Sequence, residues 1–492
     1  MLQTLKNAWK TKELRNRILF TVLILLIYRI GTVIPVPFVD AHTFAQSLNG
    51  TILEQINVFS GNSFGMATLF ALGVTPYINA SIIIQLLTVV FPKLADIAKN
   101  DKEKMNTITK VTTLILAAVT AIGYYFMLKT GDGQGNSFLS PVALGSMSWF
   151  YAIVIITCFC AGASIVMWLG ERINEHGIGN GISMILFANI VSQFPNFFYT
   201  LIAHVVAPTF GFENNKALYI IGSILFALVV TAILVGLFVF VIFVTGSERR
   251  IPIQYAKKVV GRKMYGGQSS NLPIKLNMTG VMPVIFASSI LSLVPTILQF
   301  CKIDANTKGF WGGVCKQLSQ TGIVYPILLF IFIIAFSYFY TQISFDPVEV
   351  SNNIKRQGGT IPGIRQGRPT AMYIKKVLGK VTLAGALFLS IVALLPILLS
   401  HLFTPSVSTI LMGDMPDFAT YVEQSGYAGL MDETTLKSLY DSQVTQFENY
   451  AAQLSSVFTF GGTSVLIIVG VVLETFRELE AQLTMRNYKG FL

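Results

Sequence analysis

The chain has 492 residues, of which 53% are apolar and only 12% carry a charge. Soluble domains usually carry about a quarter charged residues, so the composition excludes a soluble multidomain enzyme and a disordered chain. The net charge of +11 alone would suggest affinity for nucleic acid, but the positions of the cations must be considered first. Length and composition together favour a helical membrane protein with several spans, because one span needs roughly 20 residues.

Ten apolar runs follow one another along the chain, each bounded by charged residues, proline or glycine. We expect ten membrane-spanning helices, because a backbone in lipid must satisfy its hydrogen bonds within a helix. The runs lie, in chain order, at 18–35, 64–91, 108–128, 148–169, 181–205, 217–244, 280–300, 322–344, 381–403 and 458–476. The predicted fold class is therefore an all-α polytopic membrane protein.

Lysine and arginine are distributed unevenly between alternate loops. The N-terminal segment, the loops after spans 2, 4, 6 and 8, and the C-terminal segment together contain 28 of the 35 cations, whereas the opposite loops contain 6. Acidic residues divide equally between the two sets of loops. By the positive-inside rule, both termini are expected in the cytoplasm.

Two cation-rich loops, at 245–279 and 345–380, are longer than a simple turn requires. Topology and contact with anionic lipid are one explanation for their charge. A docking face for a large cytosolic partner, including one that contains RNA, is the other. The length of the loops favours the docking face.

The second run is interrupted by glycine, proline and short polar residues. The segment 59–65 reads FSGNSFG, and 73–76 reads GVTP. Because glycine and proline break helices, we expect a half-helix near 56–66 and a new helix from Pro76. Discontinuous helices of this kind occur where a membrane protein lines a cavity.

Isoleucines recur at positions where such a cavity would be narrow. Ile78, Ile82 and Gln85 are spaced for one stripe of the new helix, and Ile285 lies close to Ser288 in span 7. Ordinary packing accounts for such a stripe, and so does a hydrophobic constriction that closes a pore. The interrupted helix favours the constriction.

Motifs for nucleotide, metal or thiol chemistry are missing, since the sequence contains no Walker A, HExxH or CxxC pattern. The spans also contain almost no ionisable residues, which argues against a ten-span secondary solute transporter and against a membrane enzyme. We therefore expect no enzymatic activity, no cofactor and no metal site. Arg29 in span 1 is an exception, and we interpret it as a packing or snorkelling residue.

Several segments resemble motifs of the SecY family of protein-conducting channels. They are YRIGT at 28–32, ALGVTPYI at 71–78, GERI at 170–173, HGIGNGIS at 176–183, RRIPIQYA at 249–256, LPIKLN at 272–277, PVIFASS at 283–289, IPGIRQG at 361–367 and GGTS at 461–464. Each segment alone carries little information. Their order along ten spans carries the resemblance, which covers nearly the whole chain.

The resemblance implies two inverted, pseudo-symmetric halves of five spans, at 1–203 and 217–492, joined by an external hinge at 204–216. It also implies that a polypeptide passes between the halves through a ring of apolar side chains. By motif position, the ring residues are Ile78, Ile82, Leu186, Ile285 and Ile467. Leu186 stands where the family has isoleucine.

The resemblance also implies a plug, a lateral gate and a docking face. The plug comprises Phe59, Ser60, Gly61, Asn62, Ser63, Phe64 and Gly65. The lateral gate between spans 2 and 7 comprises Ser81, Gln85, Ser288 and Ser289, and we expect its hydroxyl groups to pair weakly across the gap. The docking face comprises Arg249, Arg250, Lys257, Lys258, Arg365 and Arg368.

The implied partners are small membrane subunits of the SecE and SecG type, a motor ATPase of the SecA type, the ribosome, signal sequences, unfolded polypeptides and membrane lipids. The implied location is the bacterial inner membrane. Two features stay open. The acidic external segment 403–457 is either a solvated loop or a contact for an emerging chain, and Cys301 and Cys315 are candidates for a disulfide.

Overall fold

The computed structural model describes residues 2–41, 44, 57, 60–131, 137–144, 147–195, 199, 216–255, 258–260, 263–265, 269–300, 309–318, 322–413, 437, 440 and 462–489. The predicted hinge up to position 215 and most of the external segment 403–457 lie outside the described residues. Phe59, Lys257 and Cys301 also lie outside them, so the proposed disulfide stays a prediction.

Helices dominate the described residues. In chain order they are α1 Leu2–Lys10, α2 Lys12–Gly31, α3 Thr75–Val90, α4 Pro92–Asn100, α5 Lys102–Thr130, α6 Ser148–His176, α7 Gly181–Val191, α8 Lys216–Gly246, α9 Met282–Phe300, α10 Phe310–Leu318, α11 Val324–Ser344, α12 Pro347–Arg356, α13 Arg368–Gly413 and α14 Gly462–Lys489. The strands are β1 Glu248–Tyr255, β2 Lys258–Val260, β3 Lys263–Tyr265, β4 Ser269–Lys275 and β5 Gly359–Thr360.

Each of the ten predicted apolar runs overlaps one helix; in chain order these helices are α2, α3, α5, α6, α7, α8, α9, α11, α13 and α14. The run 64–91 also includes the turns before α3, and the run 181–205 extends beyond the end of α7. Within the described residues, five helices are long and apolar enough to cross a membrane. A sixth crossing is obtained if α3 and α4, which are bent by 117°, count as one broken span. α7 and the apolar part of α9 are shorter.

The interruption of span 2 has the predicted position. α3 begins at Thr75, and Pro76 occupies its first turn, where the missing proline N–H would have had no partner in the helix. α3 then ends at Val90, shortly before Pro92 begins α4. Proline disfavours a helical conformation in the residue before it, which explains the bend between α3 and α4.

An aromatic core holds the turns before α3 against α5 and α6. Tyr124 is fully buried, and its ring stacks on Phe64 with centroids 4.5 Å apart. The ring of Phe159 lies 4.8 Å from Tyr124 on the other helix, and Phe44 packs on the same group. The segment that contains the predicted plug is therefore attached to a rigid support.

β1 is the central strand of a three-stranded antiparallel sheet with the order β4–β1–β5. β1 and β4 come from the loop after span 6, and β5 comes from the loop after span 8, so the two cation-rich loops fold together. Ile251 and Ile253 alternate with exposed residues along β1 and are buried in a cluster with Ile274 and Ile354. We call this sheet, with α12 and the first turns of α13, the basic platform.

The chain contains two compact units. One comprises Met1–Ser192, Phe238–Ile391 and Leu466–Leu492, and the other comprises Gln193–Leu237 and Val392–Val465. The first unit contains the basic platform and all of the described candidate residues. The division into halves at 1–203 and 217–492 stays a prediction.

Candidate pore, gate and docking site

The five predicted ring residues are all buried. Ile78 and Ile82 lie on α3, Leu186 on α7, Ile285 on α9 and Ile467 on α14. Their exposed fractions are 8%, 3%, 3%, 6% and 1% in the same order. Apolar constrictions exclude water when they are narrow. Their burial is what a closed apolar constriction requires, and ordinary packing of apolar side chains produces it as well.

The helices that carry these residues are linked by direct contacts. α3 contacts α9. α7 contacts α14, where the Thr475 hydroxyl lies 3.7 Å from the sulfur of Met184. α14 also reaches the start of α9, because a β-carbon at Gly470 would lie 2.6 Å from Cγ1 of Val281. The order α3–α9–α14–α7 thus runs through neighbouring helices.

Residues 60–67 form successive turns, so the half-helix expected near 56–66 does not extend over 60–66. Asn57 is helical, and residues 56, 58 and 59 lie outside the described residues. Gly61 and Asn62 have positive φ values of 67° and 68°, which a right-handed helix does not admit. The side chain of Asn57 braces the turns. Its Oδ1 accepts from the amide of Gly65 at 2.8 Å, and its Nδ2 donates to Oδ1 of Asn62 at 3.1 Å.

The predicted plug is anchored at its C-terminal end by Phe64. This residue is 3% exposed, and its carbonyl oxygen accepts a hydrogen bond from the Tyr124 hydroxyl. Its ring packs between Tyr124 and Phe44. Phe64 therefore belongs to the aromatic core, whereas Gly65 is held by the hydrogen bond from its amide to Asn57.

Arg29 contacts the tip of these turns. Its Nη1 donates to the carbonyl oxygen of Gly61 at 3.4 Å. A β-carbon at Gly61 would lie 3.0 Å from Asn189 Oδ1 and 3.2 Å from Ser192 Oγ. The turn is therefore wedged between the end of α2 and the end of α7. This contact supports the interpretation of Arg29 as a packing residue. Its partner, Gly61, was not identified from the sequence.

Spans 2 and 7 are neighbours, as a lateral gate requires, because α3 contacts α9. We expected serine hydroxyl groups to pair across the gap between spans 2 and 7, but Ser81 and Ser288 form hydrogen bonds within their own helices. Ser288 donates to the carbonyl oxygen of Ile285 in its own helix at 3.0 Å. Ser81 accepts from Nε2 of Gln85, also within one helix, at 3.1 Å. Serine in a helix satisfies its hydroxyl locally, which explains the difference.

A hydrogen bond connects α3 with α11 beside the predicted lateral gate. Tyr340 on α11 donates its hydroxyl to Oε1 of Gln85. Its ring packs on Phe286 of α9, with centroids 5.1 Å apart. Tyr340 and Phe286 were not identified from the sequence, because nothing local distinguishes them from other aromatic residues of the spans.

The docking residues that the structure describes lie on the basic platform or beside it. The exposed arginines are Arg249, Arg250, Arg365 and Arg368. Nε of Arg250 donates to Oε1 of Glu248 at 2.7 Å. Lys258 lies on β2, but the structure does not describe its side chain. Lys257 lies outside the described residues. Four of the six predicted residues thus have described, exposed side chains.

Arg365 is presented by a fixed turn between β5 and α13. Ile361 and Ile364 on the same turn pack into the isoleucine cluster of the platform. Gly363 has a φ of 80°, which glycine adopts without strain. The Thr370 hydroxyl donates to the carbonyl oxygen of Arg365 at 2.8 Å. The backbone is therefore held while the Arg365 side chain faces solvent.

Lys275 ends β4 beside the platform's arginines. Desolvation lowers its pKa, the nearby Arg477 guanidinium lowers it further, and Glu248 opposes both effects. Arginine stays protonated in proteins. The exposed arginines therefore keep their positive charge at neutral pH.

Four features together define the class of protein as a polytopic helical membrane channel. They are the apolar spans, the interrupted helix, the five buried aliphatic residues and the basic platform. The sequence pattern of the SecY family matches residues 68–414. The chain belongs to the SecY family. It is 37% identical over 503 aligned residues to the protein translocase subunit SecY of Streptomyces coelicolor, with both chains fully covered. It is also 37% identical over 506 aligned residues to that of Mycobacterium tuberculosis, again with full coverage.

Solved structures share the fold. A structure described as a protein conducting channel aligns with a TM-score of 0.59 at 19% identity, over 95% of this chain and 92% of that chain. Sec61 in the canine ribosome-channel complex from the endoplasmic reticulum aligns with a TM-score of 0.56 at 18% identity and the same coverage. The predicted resemblance and the predicted SecY-like membrane fold are confirmed.

Within the part of the chain that the structure describes, no three His, Cys, Asp or Glu side chains come together as a metal site.

Proposed function

We propose that this chain is the central subunit of a protein-conducting channel, which passes unfolded secretory polypeptides across a membrane and releases membrane segments sideways into lipid. The observation that carries this proposal is the burial of five aliphatic residues on four neighbouring helices, in a chain of the SecY family. The alternative of a ten-span secondary solute transporter is not favoured by the family.

The proposed pore ring comprises Ile78, Ile82, Leu186, Ile285 and Ile467. A path that accepts many sequences cannot depend on specific hydrogen bonds with its substrate. Aliphatic side chains meet this need, because they deform around any passing segment and dewet when the path is empty. The ring therefore seals and conducts without chemistry of its own.

The movable part of the plug is proposed to end at Ser63. Phe64 is held by the aromatic core, whereas Gly61 is held by the Arg29 hydrogen bond and by contacts with α7. Opening then requires this bond to break, while the Phe64 anchor stays in place.

The proposed partners and location follow the family. The bacterial relatives are protein translocase subunits, and one neighbour in structure is described in a ribosome-channel complex. We infer that the basic platform receives a ribosome or a motor ATPase of the SecA type, and that SecE-type and SecG-type subunits complete the channel. The proposed location is the bacterial inner membrane, with both termini cytoplasmic, as the cation distribution predicts.

A stalled secretory polypeptide is expected to crosslink to a photoreactive residue placed at Ile82. Ile82 is 3% exposed on α3, whereas Val89 on the same helix is 62% exposed and provides the matched control. The measurement is the yield of crosslinked product from each position. Crosslinks from position 89 alone, or from neither position while the stalled chain accumulates, would contradict the proposed path.

Replacing Arg29 by methionine is expected to increase the ion leak of the resting channel about tenfold. Hydrogen bonds to charged groups contribute about 1.5 kcal/mol or more, and the Arg29→Met variant loses the one that holds Gly61. Ion flux into vesicles that contain the purified complex measures the leak. Arg17→Met is the control, because Arg17 forms an exposed ion pair with Glu13 on the same helix, at 3.7 Å. Equal leaks in the two variants would remove the proposed role of Arg29.

A further inference from the structure

Tyr340 lies where three spans meet. Its hydroxyl donates to Oε1 of Gln85 on α3, and its ring packs on Phe286 of α9. Tyr340 itself belongs to α11 and is 9% exposed. One side chain therefore connects α3 with the two helices on the opposite side of the proposed lateral gate.

Gln85 is oriented for this hydrogen bond. Its Nε2 donates to Ser81 Oγ at 3.1 Å, which leaves Oε1 as the atom that accepts from Tyr340. Both ends of the amide are thus hydrogen-bonded, so the Gln85 side chain cannot leave this position without losing bonds. Ser288 of α9, in contrast, donates within its own helix. The contact between Gln85 and Tyr340 is therefore a directional bond across the gate, of a kind that Ser288 does not provide.

We propose that Tyr340 and Gln85 form a clamp that determines how hydrophobic a signal segment must be to part α3 from α9 and α11. The inference depends on the proposed function of the chain as a channel. A segment that enters between these helices must break the bond, and the transfer of its own apolar side chains into lipid must compensate for the loss. Hydrogen bonds between membrane helices shift an equilibrium by roughly threefold on average, about the contribution of one leucine in the segment.

The Tyr340→Phe variant keeps the ring on Phe286 and removes only the hydroxyl. The experiment measures export of reporters whose signal segments differ by single leucines, with the full chain in its complex. Tyr340→Phe is expected to reach half-maximal export with about one leucine fewer than the wild-type chain needs. Export of the reporter with the most hydrophobic signal is expected to stay unchanged.

Tyr338→Phe is the matched control. The Tyr338 hydroxyl donates to the carbonyl oxygen of Gly379 on α13 at 3.2 Å, so the same group is lost from the same helix without a change at the gate. Its export threshold is expected to equal that of the wild-type chain. Gln85→Leu removes the other partner of the clamp and is expected to lower the threshold as Tyr340→Phe does, with no further decrease in the double variant.

Three results would overturn the clamp: a wild-type threshold in Tyr340→Phe, an equal decrease in Tyr338→Phe, or effects that add fully in the double variant. A wild-type chain that exports none of the reporters, including the one with the most hydrophobic signal, would overturn the proposed function, and the clamp with it.

Discussion

Charge reversal at Arg365 is expected to reduce motor-driven export by roughly 30-fold or more, while insertion of the chain into the membrane stays normal. The Arg365→Glu variant removes an attractive charge from the proposed docking face and adds a repulsive one. Losing one partner of a charge pair in an interface costs about 2–5 kcal/mol. The turn itself should keep its structure, because Ile361 and Ile364 anchor it in the isoleucine cluster. Export of a secreted reporter and the amount of membrane-inserted chain are measured together.

Lys102→Glu provides the control for this variant. Lys102 is exposed at the start of α5, outside the basic platform, and the substitution changes the net charge by the same amount. A negative residue in the first turn of a helix is favourable, so this variant should fold and export normally. Normal export in Arg365→Glu would remove the docking role of Arg365, and an equal loss in Lys102→Glu would show that total charge alone matters.

The helices could be predicted from the sequence because hydropathy and proline act locally. α3 begins at Thr75, one residue before the predicted restart at Pro76. The segment before it was predicted less well. A half-helix was expected near 56–66, but the positive φ values at Gly61 and Asn62 produce turns. Asparagine tolerates this conformation better than most residues, which was the available signal.

The basic platform was predicted as two long loops and found as one folded sheet. Ile251 and Ile253 have the spacing of two that is typical of a strand, but Pro252 lies between them, and proline argues against a central strand. Its partner strand could not be inferred from this pattern, because Gln254 pairs with Thr360 from a loop that follows two further spans. Pairing between strands so far apart in sequence depends on how the spans pack, and no local sequence pattern predicts it.

The predicted lateral gate also contains a contact between distant residues that no local sequence pattern predicts. Gln85 could be assigned to it by its position on a stripe, but Tyr340 is 255 residues away on another span. The expected serine pairing failed for a local reason, since a helical serine bonds to its own backbone. A buried polar side chain with a long reach, such as glutamine or tyrosine, is the better candidate for a bond between spans.

The support for the plug suggests a second large effect, on stability. A β-carbon at Gly162 of α6 would lie 1.8 Å from the carbonyl oxygen of Leu69, far inside van der Waals contact. Leu69 cannot move away easily, because its amide donates to the carbonyl oxygen of Ile34 at 2.9 Å. The Gly162→Ala variant is therefore expected to destabilise the chain by about 3 kcal/mol or more, at the upper end of the usual cost of overpacking.

The amount of Gly162→Ala chain in membranes, and its thermal unfolding in detergent, measure this effect. A loss of this size should lower the amount well beyond the several-fold change that about 1–2 kcal/mol produces. Gly379→Ala on α13 is the matched control, because a β-carbon there meets nothing within 4 Å. Alanine is the better helix former, so the control should be as stable as the wild-type chain or slightly more so. Normal amounts of Gly162→Ala would mean that α6 can move away from Leu69, and the plug would then lack the rigid support on which its proposed anchor at Phe64 depends.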